Sequence, residues 1–251
     1  MKRLPPKDQL TMGIHALHSL LLHAPDRILH VFTKPTETQK RKGALLDLCK
    51  EKGIPVSFVS LETLDHMAGS DSHQSFVAHV QGRHFYDVDS FLERIEEESK
   101  AIVLMLDQIF DPQNFGSILR TAECLGAAGV VWSKNRGSDL TPVVAKASSG
   151  ASEWLPLIRI SNLAEAVTQF QDDGFKALAT TLAPHSQDGF KFSFHQKTLL
   201  ILGSEGEGIQ PLIQKRADSL ISLPMQGKIE SLNVAQAAAV FLTLYQMQNG
   251  K

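Results

Sequence analysis

Asparagine and arginine stand six residues apart in the first of three polar segments that follow apolar runs. Asn114 and Arg120 come after the strand-like run 101–106. Both polar side chains follow the carboxyl end of a predicted strand, where ligands bind in parallel α/β sheets. The structural alternative makes Asn114 a helix cap and Arg120 a surface residue. Against that alternative, the neighbouring Leu119 and the small Thr121 predict a closely packed helix face around Arg120.

A turn of three glycines and two carboxylates, residues 203–208, forms the second segment and ends another strand-like run. Glycines allow positive φ and let a ligand approach the backbone closely. The side chains of Glu205 and Glu207 make this turn unsuited to phosphate and suited to a cationic or hydroxyl-bearing ligand. A plain strand-to-helix turn is the simpler alternative.

The third segment, residues 221–239, contains the end of a strand at Pro224 and then a loop. Ser231 follows the loop and is placed to open a helix from Leu232 to about Gln248. Serine is a good N-cap, and that role is compatible with a catalytic one. Small side chains early in the helix permit close packing by another chain segment or another subunit. They are Ala235, Ala237, Ala238 and Ala239.

Several common cofactor motifs are absent from the sequence, including Gly-x-Gly-x-x-Gly after a strand, a phosphate loop, His-Glu-x-x-His and Cys-x-x-Cys. Dinucleotide, ATP and zinc chemistry therefore have no positive support. His15, His18 and His73 lack metal-ligand spacing and are interpreted as surface or packing residues. We expect no metal site.

Strand-like and helical segments alternate through residues 101–251, which predicts an α/β domain with a parallel sheet covered on both faces. Ligands bind at the carboxyl ends of strands in such sheets, where the polar segments stand. Residues 1–84 alternate in shorter units and predict a small α/β domain, and residues 87–100 predict a charged helix. The strand candidates of the larger domain are 102–106, 129–132, 177–180, 199–202 and 220–223.

The net charge of −2 conceals a regional division. Residues 1–84 hold 11 basic and 8 acidic side chains, residues 85–100 hold 2 and 6, and residues 101–251 hold 12 and 13. A basic front domain suits contact with phosphate, and the cluster 40–42 (Lys-Arg-Lys) fits that role. We therefore divide the chain into a domain 1–84, an acidic linker 85–100 and a domain 101–251.

Composition excludes several classes of protein. A hydrophobic fraction of 43% is too high for a disordered chain, and no apolar run approaches the length of a membrane span. The basic start of the chain is not followed by the apolar core of a signal peptide. Two cysteines, Cys49 and Cys124, cannot form a disulfide framework and indicate a reducing, cytoplasmic location.

The three polar segments, in this order and spacing, resemble the motifs of the SpoU (TrmH-like) RNA 2′-O-ribose methyltransferases of the SPOUT superfamily. Residues 13–16, 72–74 and 156–163 extend the resemblance, over nearly the whole chain, to the bacterial 23S rRNA guanosine 2′-O-methyltransferases within that family. The sequence departs from that group at Ser75, where glycine is usual, and at Ala235, where serine is usual. The motif residues are 114–120, 202–208, 223–225 and 231–235.

The resemblance implies a C-terminal α/β domain with a trefoil knot and an N-terminal domain, similar to ribosomal L30-type proteins, that binds RNA. It implies a homodimer joined through the knotted domains, and S-adenosylmethionine as the methyl donor. The expected partner is RNA, specifically 23S rRNA, and no membrane is involved. The expected reaction is methylation of a ribose 2′-oxygen, on a guanosine.

The same resemblance assigns roles to single residues. Arg120 takes the central catalytic role, as base or, because a guanidinium holds its proton strongly, as the group that binds substrate phosphate and stabilises the alkoxide. The other catalytic residues implied are Asn114, Glu205, Ser231 and Asn233. The cofactor-binding residues implied are Gly203, Leu223 and Leu232, together with Met225 and Thr180.

Three alternatives stay open on the sequence alone. The same chemistry is compatible with a tRNA target. A non-catalytic RNA-binding or ribosome-assembly protein is a second alternative, although the intact set of motif residues disfavours it. A nicotinamide-dependent oxidoreductase is the third, and the missing glycine fingerprint disfavours it.

Overall fold

A computed structural model describes residues 6, 9–35, 40–204 and 206–250 of the chain. The side chains of the basic cluster 40–42 lie outside the described part, so the predicted phosphate contacts there stay a prediction. The chain divides into two compact units. Unit 1 contains residues 1–84 and 139–154, and unit 2 contains residues 85–138 and 155–251.

Unit 1 is built on a four-stranded mixed sheet in the order β1-β4-β2-β3. The strands are β1 (Leu10–Met12), β2 (Ile28–Thr33), β3 (Val56–Phe58) and β4 (Phe76–Val80). Strands β2 and β3 are parallel, and the other two pairs are antiparallel. The helices of the unit are α1 (Ile14–His23), α2 (Lys40–Glu51), α3 (Leu61–Ala68) and α6 (Pro142–Ala147).

Two apolar clusters form the core of unit 1. Leu20 and Leu21 of α1 pack with Val31 and Phe76 in the first cluster. Met67 of α3 is part of the second. The small α/β architecture predicted for this part of the chain is confirmed, although the three-residue strand β1 was not predicted.

Unit 2 contains a seven-stranded sheet in the order β7-β6-β5-β10-β8-β11-β9, in which every pair is parallel. The strands are β5 (Ala101–Leu106), β6 (Gly129–Ser133), β7 (Leu157–Ile160), β8 (Lys176–Thr180), β9 (Gln187–Asp188), β10 (Lys197–Leu202) and β11 (Ser219–Ser222). The helices are α4 (Val88–Arg94), α5 (Pro112–Cys124), α7 (Leu163–Asp172), α8 (Pro211–Arg216) and α9 (Val234–Asn249). The prediction of an α/β fold with a parallel sheet is confirmed.

Strand β5 is buried along its whole length and β10 from Thr198 onward, as continuous apolar runs predict for a parallel sheet. The segment 85–100 contributes to this core, because Val88 and Phe91 of α4 pack beside Phe170. The expected charged helix over 87–100 ends at Arg94, and the segment packs as part of unit 2. Residues 139–154 pack with unit 1, so the units differ from the predicted bounds in both places.

Within the part of the chain that the structure describes, no helix is long and apolar enough to cross a membrane. The same residues contain no group of three or more His, Cys, Asp or Glu side chains that could hold a metal ion.

Candidate active site

A cavity of about 280 Å³ lies in unit 2 at the carboxyl ends of three neighbouring strands. Thr180 ends β8, Gly203 follows β10, and Leu223 follows β11. Parallel strands end at the same edge of a sheet, so three segments distant in sequence meet there. The structure places all five residues assigned to the cofactor on the cavity wall, namely Thr180, Gly203, Leu223, Met225 and Leu232.

Backbone hydrogen bonds close the turn after β10, which lies beside the cavity. Ser204 and Gly208 exchange two backbone hydrogen bonds of 3.1 Å, and the amide of Glu207 donates to Ser204 Oγ at 3.2 Å. A Cβ atom on Gly203 would lie 2.3 Å from the carbonyl carbon of Gly208, so only glycine fits there. Glu205, assigned a catalytic role, lies outside the described residues.

The loop after β11 brings Ser231 and Leu232 to the cavity wall, and both side chains are exposed. The sequence predicted Ser231 as the N-cap of α9. That prediction is wrong, because the helix begins later, at Val234. Asn233 is the N-cap, and its side-chain oxygen accepts a 2.9 Å hydrogen bond from the amide of Ala235.

The side chain of Asn114 contacts this cap directly. The Nδ2 atom of Asn233 donates to Asn114 Oδ1 at 2.9 Å. Asn114 does not cap α5, because Pro112 at the first helical position starts the helix earlier and the N-cap is Asp111. The Asp111 carboxylate accepts from the amides of Gln113 and Asn114. Asn114 is thereby left to join the first and third motif segments.

Arg120 lies on α5 six residues after Asn114, about 9 Å farther along the helix axis. Its side chain is exposed, so the expected close packing around it was wrong. The helix turns Phe115, Ile118 and Leu119 into the core, and Arg120 points away from that stripe. The described wall of the cavity includes Ser231 but not Asn114, Arg120 or Asn233.

Several wall residues were not predicted. Ala237 and Phe241 reach the cavity from the first two turns of α9, and Ser222 ends β11. On α9, Ala237 follows Val234 by three residues, and Phe241 follows Ala237 by four. This spacing puts the three on one face of the helix and is the signal that could have identified that face. The Thr180 hydroxyl donates to the carbonyl of Ile201 at 3.1 Å, so it joins two strands as well as lining the wall.

The cavity has a distinctive charge. Among the described residues of its wall, Glu207 is the only charged one, and none is basic. Backbone groups at strand ends and apolar side chains such as Leu223 and Phe241 form much of the remainder. This wall fits a phosphate-free, cationic nucleoside better than a nucleotide, whose phosphates need donors or basic groups. Its volume is near the lower end of the range for small-molecule sites.

Two family models match the chain in the regions that carry these features. The model of the SpoU rRNA methylase family matches residues 101–243, more than half of the chain. The model described as RNA 2′-O ribose methyltransferase substrate binding matches residues 10–86.

The chain belongs to the SpoU rRNA methylase family.

Curated SpoU relatives match it along most of their length. The 23S rRNA (guanosine-2′-O-)-methyltransferase RlmB of Haemophilus influenzae is 35% identical over 230 residues, which cover 92% of this chain and 94% of that protein. The putative TrmH family tRNA/rRNA methyltransferase YacO of Bacillus subtilis is 35% identical over 227 residues, covering 89% and 90%.

A solved SpoU structure shares the fold. The SpoU methyltransferase AviRb from Streptomyces viridochromogenes, crystallised in complex with the cofactor AdoMet, superposes with a TM-score of 0.76 at 25% identity. The match covers 95% of this chain and 89% of that one. The family resemblance inferred from the three motif segments is therefore confirmed.

Proposed function

We propose that this protein transfers a methyl group from S-adenosylmethionine to the 2′-oxygen of a guanosine ribose in 23S rRNA. The observation that carries the proposal is the cavity at the ends of β8, β10 and β11, whose wall includes the five residues to which the family resemblance assigns cofactor binding. The identity of 35% to the RlmB protein of Haemophilus influenzae, over nearly the whole of both chains, supports the choice of substrate.

The wall of the cavity suits S-adenosylmethionine. When bound, this donor supplies a methyl group already activated on a sulfonium. The chain's own task is chiefly to hold donor and acceptor in line and to assist removal of one proton. Leu223 and Leu232 offer apolar surface to a nucleoside, and the closed turn at Gly203 presents backbone groups.

Three of the residues assigned to the acceptor ribose, Asn114, Ser231 and Asn233, belong to the first and third motif segments, which Asn114 and Asn233 join. Asn233 is fixed by its cap bond and by Asn114, and Ser231 stands on the cavity wall two residues earlier. In the proposed function, Ser231 and Asn233 orient the 2′-hydroxyl, and Glu205 orients Arg120 or the ribose. Arg120 binds a substrate phosphate and stabilises the alkoxide with two parallel donors.

The proposal includes a homodimer formed through unit 2. Arg120 is exposed and absent from the described cavity wall, which supports a site completed by a second copy. Ile229 and Met247 of the same unit are 76% and 79% exposed, unusually high for large apolar side chains. Light scattering of the purified protein tests this part, because a monomeric mass would contradict it.

The proposal also includes the trefoil knot and the division of labour between domains. Helix α9 follows β11 and packs on α5, which follows β5, although β8 and β10 separate those two strands. After β11 the chain therefore crosses back over β8 and β10 to reach α5, and this crossing supports a knot. Residues 1–84 are proposed as an L30-like RNA-binding domain, 85–100 as the connection and 101–251 as the catalytic domain, supported by the two matched regions. The expected location is the cytoplasm.

Mapping of ribose methylation by mass spectrometry tests the function. Total RNA is compared from cells with and without the gene, and the expected result is loss of one 2′-O-methylguanosine in 23S rRNA. Loss of a methyl group in tRNA would favour the second candidate function, to which the name of the Bacillus subtilis relative, a putative tRNA/rRNA methyltransferase, gives support. Unchanged methylation of both RNA classes would contradict the enzyme and favour the non-catalytic alternative.

A further inference from the structure

The carboxylate of Glu207 is the one charged group on the described wall of the cavity. Its side chain is exposed, and its backbone is held by the 3.2 Å hydrogen bond to Ser204 Oγ within the closed turn. Three glycines surround it in the turn, and a Cβ atom on Gly206 would meet nothing within 4 Å. Glu207 is therefore both on the cavity wall and exposed to solvent, and the neighbouring Gly206 faces open space.

S-adenosylmethionine carries two cationic groups, the sulfonium and the α-ammonium of its methionine end. A carboxylate attracts either one, and the wall has no basic side chain among its described residues to compete. The two groups differ in their fate during the reaction. Methyl transfer neutralises the sulfonium, whereas the ammonium keeps its charge throughout.

This difference decides where a carboxylate is useful. A carboxylate at the sulfonium stabilises the reactant more than the transition state, in which the positive charge is declining, and so raises the barrier. A carboxylate at the ammonium stabilises both states equally and strengthens binding without slowing the transfer. An exposed carboxylate on the cavity wall also suits the hydrophilic amino-acid end of the molecule better than its reacting centre.

We propose that Glu207 recognises the α-ammonium group of S-adenosylmethionine and is a determinant of cofactor affinity. This inference rests on the proposed function of the cavity. It assigns to Glu207 a role separate from that of Glu205, the other carboxylate of the turn, which is assigned to catalysis.

Calorimetric titration of the full chain with three ligands tests the assignment. S-adenosylmethionine has both cationic groups, S-adenosylhomocysteine has only the ammonium, and 5′-methylthioadenosine has neither. For Glu207→Gln we expect both ammonium-bearing ligands to bind about two- to fivefold more weakly, as for an exposed charge pair, and methylthioadenosine to bind unchanged. The matched control is Glu97→Gln, which removes an exposed carboxylate that is not on the described cavity wall and leaves all three affinities unchanged.

Each of the other outcomes contradicts either the assignment of Glu207 or the proposed function of the cavity. Equal affinities of wild type and Glu207→Gln for every ligand would remove Glu207 from cofactor recognition while leaving the proposed function intact. A loss confined to S-adenosylmethionine would place the carboxylate at the sulfonium and refute the ammonium assignment. An equal loss for all three ligands, methylthioadenosine included, would show that Glu207 acts through the turn and not on the ammonium, and would refute the assignment. Failure of the wild type to bind any of the three would refute the proposed function together with this inference.

Discussion

The side-chain amide of Asn233 donates a 2.9 Å hydrogen bond to the side-chain oxygen of Asn114, across 119 positions of the chain. The oxygen of Asn233 is already used by the amide of Ala235 at the start of α9. The cap therefore fixes which way the Asn233 amide points, and its nitrogen faces Asn114. One residue thus begins a helix and joins two of the three motif segments.

Coupling between these two asparagines should be measurable. Asn233→Ala removes the cap and the inter-segment bond, and we expect it to cost about 1–3 kcal/mol of unfolding free energy. Asn114→Ala removes the inter-segment bond and leaves the cap in place, so it should cost less. A double-mutant cycle by urea unfolding should give a coupling of about 0.5–1.5 kcal/mol. Additive costs would show that the hydrogen bond does not contribute to stability.

The guanidinium of Arg120 is expected to be needed for chemistry and not for folding. Its side chain is exposed, so Arg120→Lys should change the free energy of unfolding by less than about 0.5 kcal/mol and leave cofactor affinity intact. A single ammonium cannot reproduce two parallel donors, so the methylation rate should fall about 100-fold or more. Single-turnover methylation of 23S rRNA measures this, with the exposed Arg94→Lys as control. Near-normal methylation by Arg120→Lys would refute the assignment.

An added methyl group should weaken cofactor binding at one glycine of this turn and leave it unchanged at another. In Gly203→Ala the new Cβ meets the backbone of Gly208 and Ile209 at 2.3–2.5 Å, and the turn must shift. Such overpacking costs about 1–3 kcal/mol, so we expect about five- to 150-fold weaker binding of S-adenosylmethionine. Gly206→Ala is the control, because its Cβ meets nothing within 4 Å. Equal effects of the two substitutions would contradict the close approach at Gly203.

Much of unit 2 could be predicted from the sequence because its strands are continuous apolar runs and its helices alternate with them. Strands β1, β7 and β9 were not predicted, since segments of two to four residues show too few repeats of an alternating pattern. Both helix caps were assigned to the wrong residue for a similar reason. Asp111 and Asn114 are both good cap residues, as are Ser231 and Asn233, and the choice depends on where each helix begins.

The placement of residues 139–154 in unit 1 has no local signal at all. It depends on pairs such as Arg27 and Glu153, which are 126 positions apart and meet only in the folded chain. At the candidate site, the five residues that the family resemblance assigns to the cofactor line the cavity, whereas wall residues such as Ala237 and Phe241 were not predicted. The exposure of Arg120 was not predicted, because its neighbours in sequence indicated packing that the helix turns to another face.

Unit 1 should lose stability in alkaline solution because of one thiol. Burial raises the pKa of Cys49 from 9.0 to about 11. The folded state therefore keeps this proton between pH 9 and 11 while the unfolded state releases it, so the contribution is complete below pH 9 and is lost as the pH rises to about 11. The expected loss is on the order of 2 kcal/mol.

Urea unfolding at a series of pH values measures this loss. Cys49→Ala should be less stable at neutral pH, because it opens a cavity, and should show a shallower decline above pH 9. Cys124→Ala removes an exposed thiol and should retain the steep decline of the wild type. Parallel declines in Cys49→Ala and the wild type would show that other groups cause the alkaline loss.

Glu153 is expected to be the residue whose neutralisation damages unit 1 most. Its side chain is fully buried, where it accepts from Arg27 Nη2 at 2.9 Å and from Arg83, whose own side chain is 3% exposed. Glu153→Gln keeps the size of the side chain and removes the charge that faces both guanidinium groups. Breaking a buried pair from one side costs about 3–5 kcal/mol of unfolding free energy, measurable by urea unfolding.

The double variant Arg83→Met with Glu153→Leu removes both buried charges and should cost less than Glu153→Gln alone, since no charge is left behind at that contact. A cost below about 1 kcal/mol for Glu153→Gln would show that the buried carboxylate does not hold residues 139–154 in unit 1.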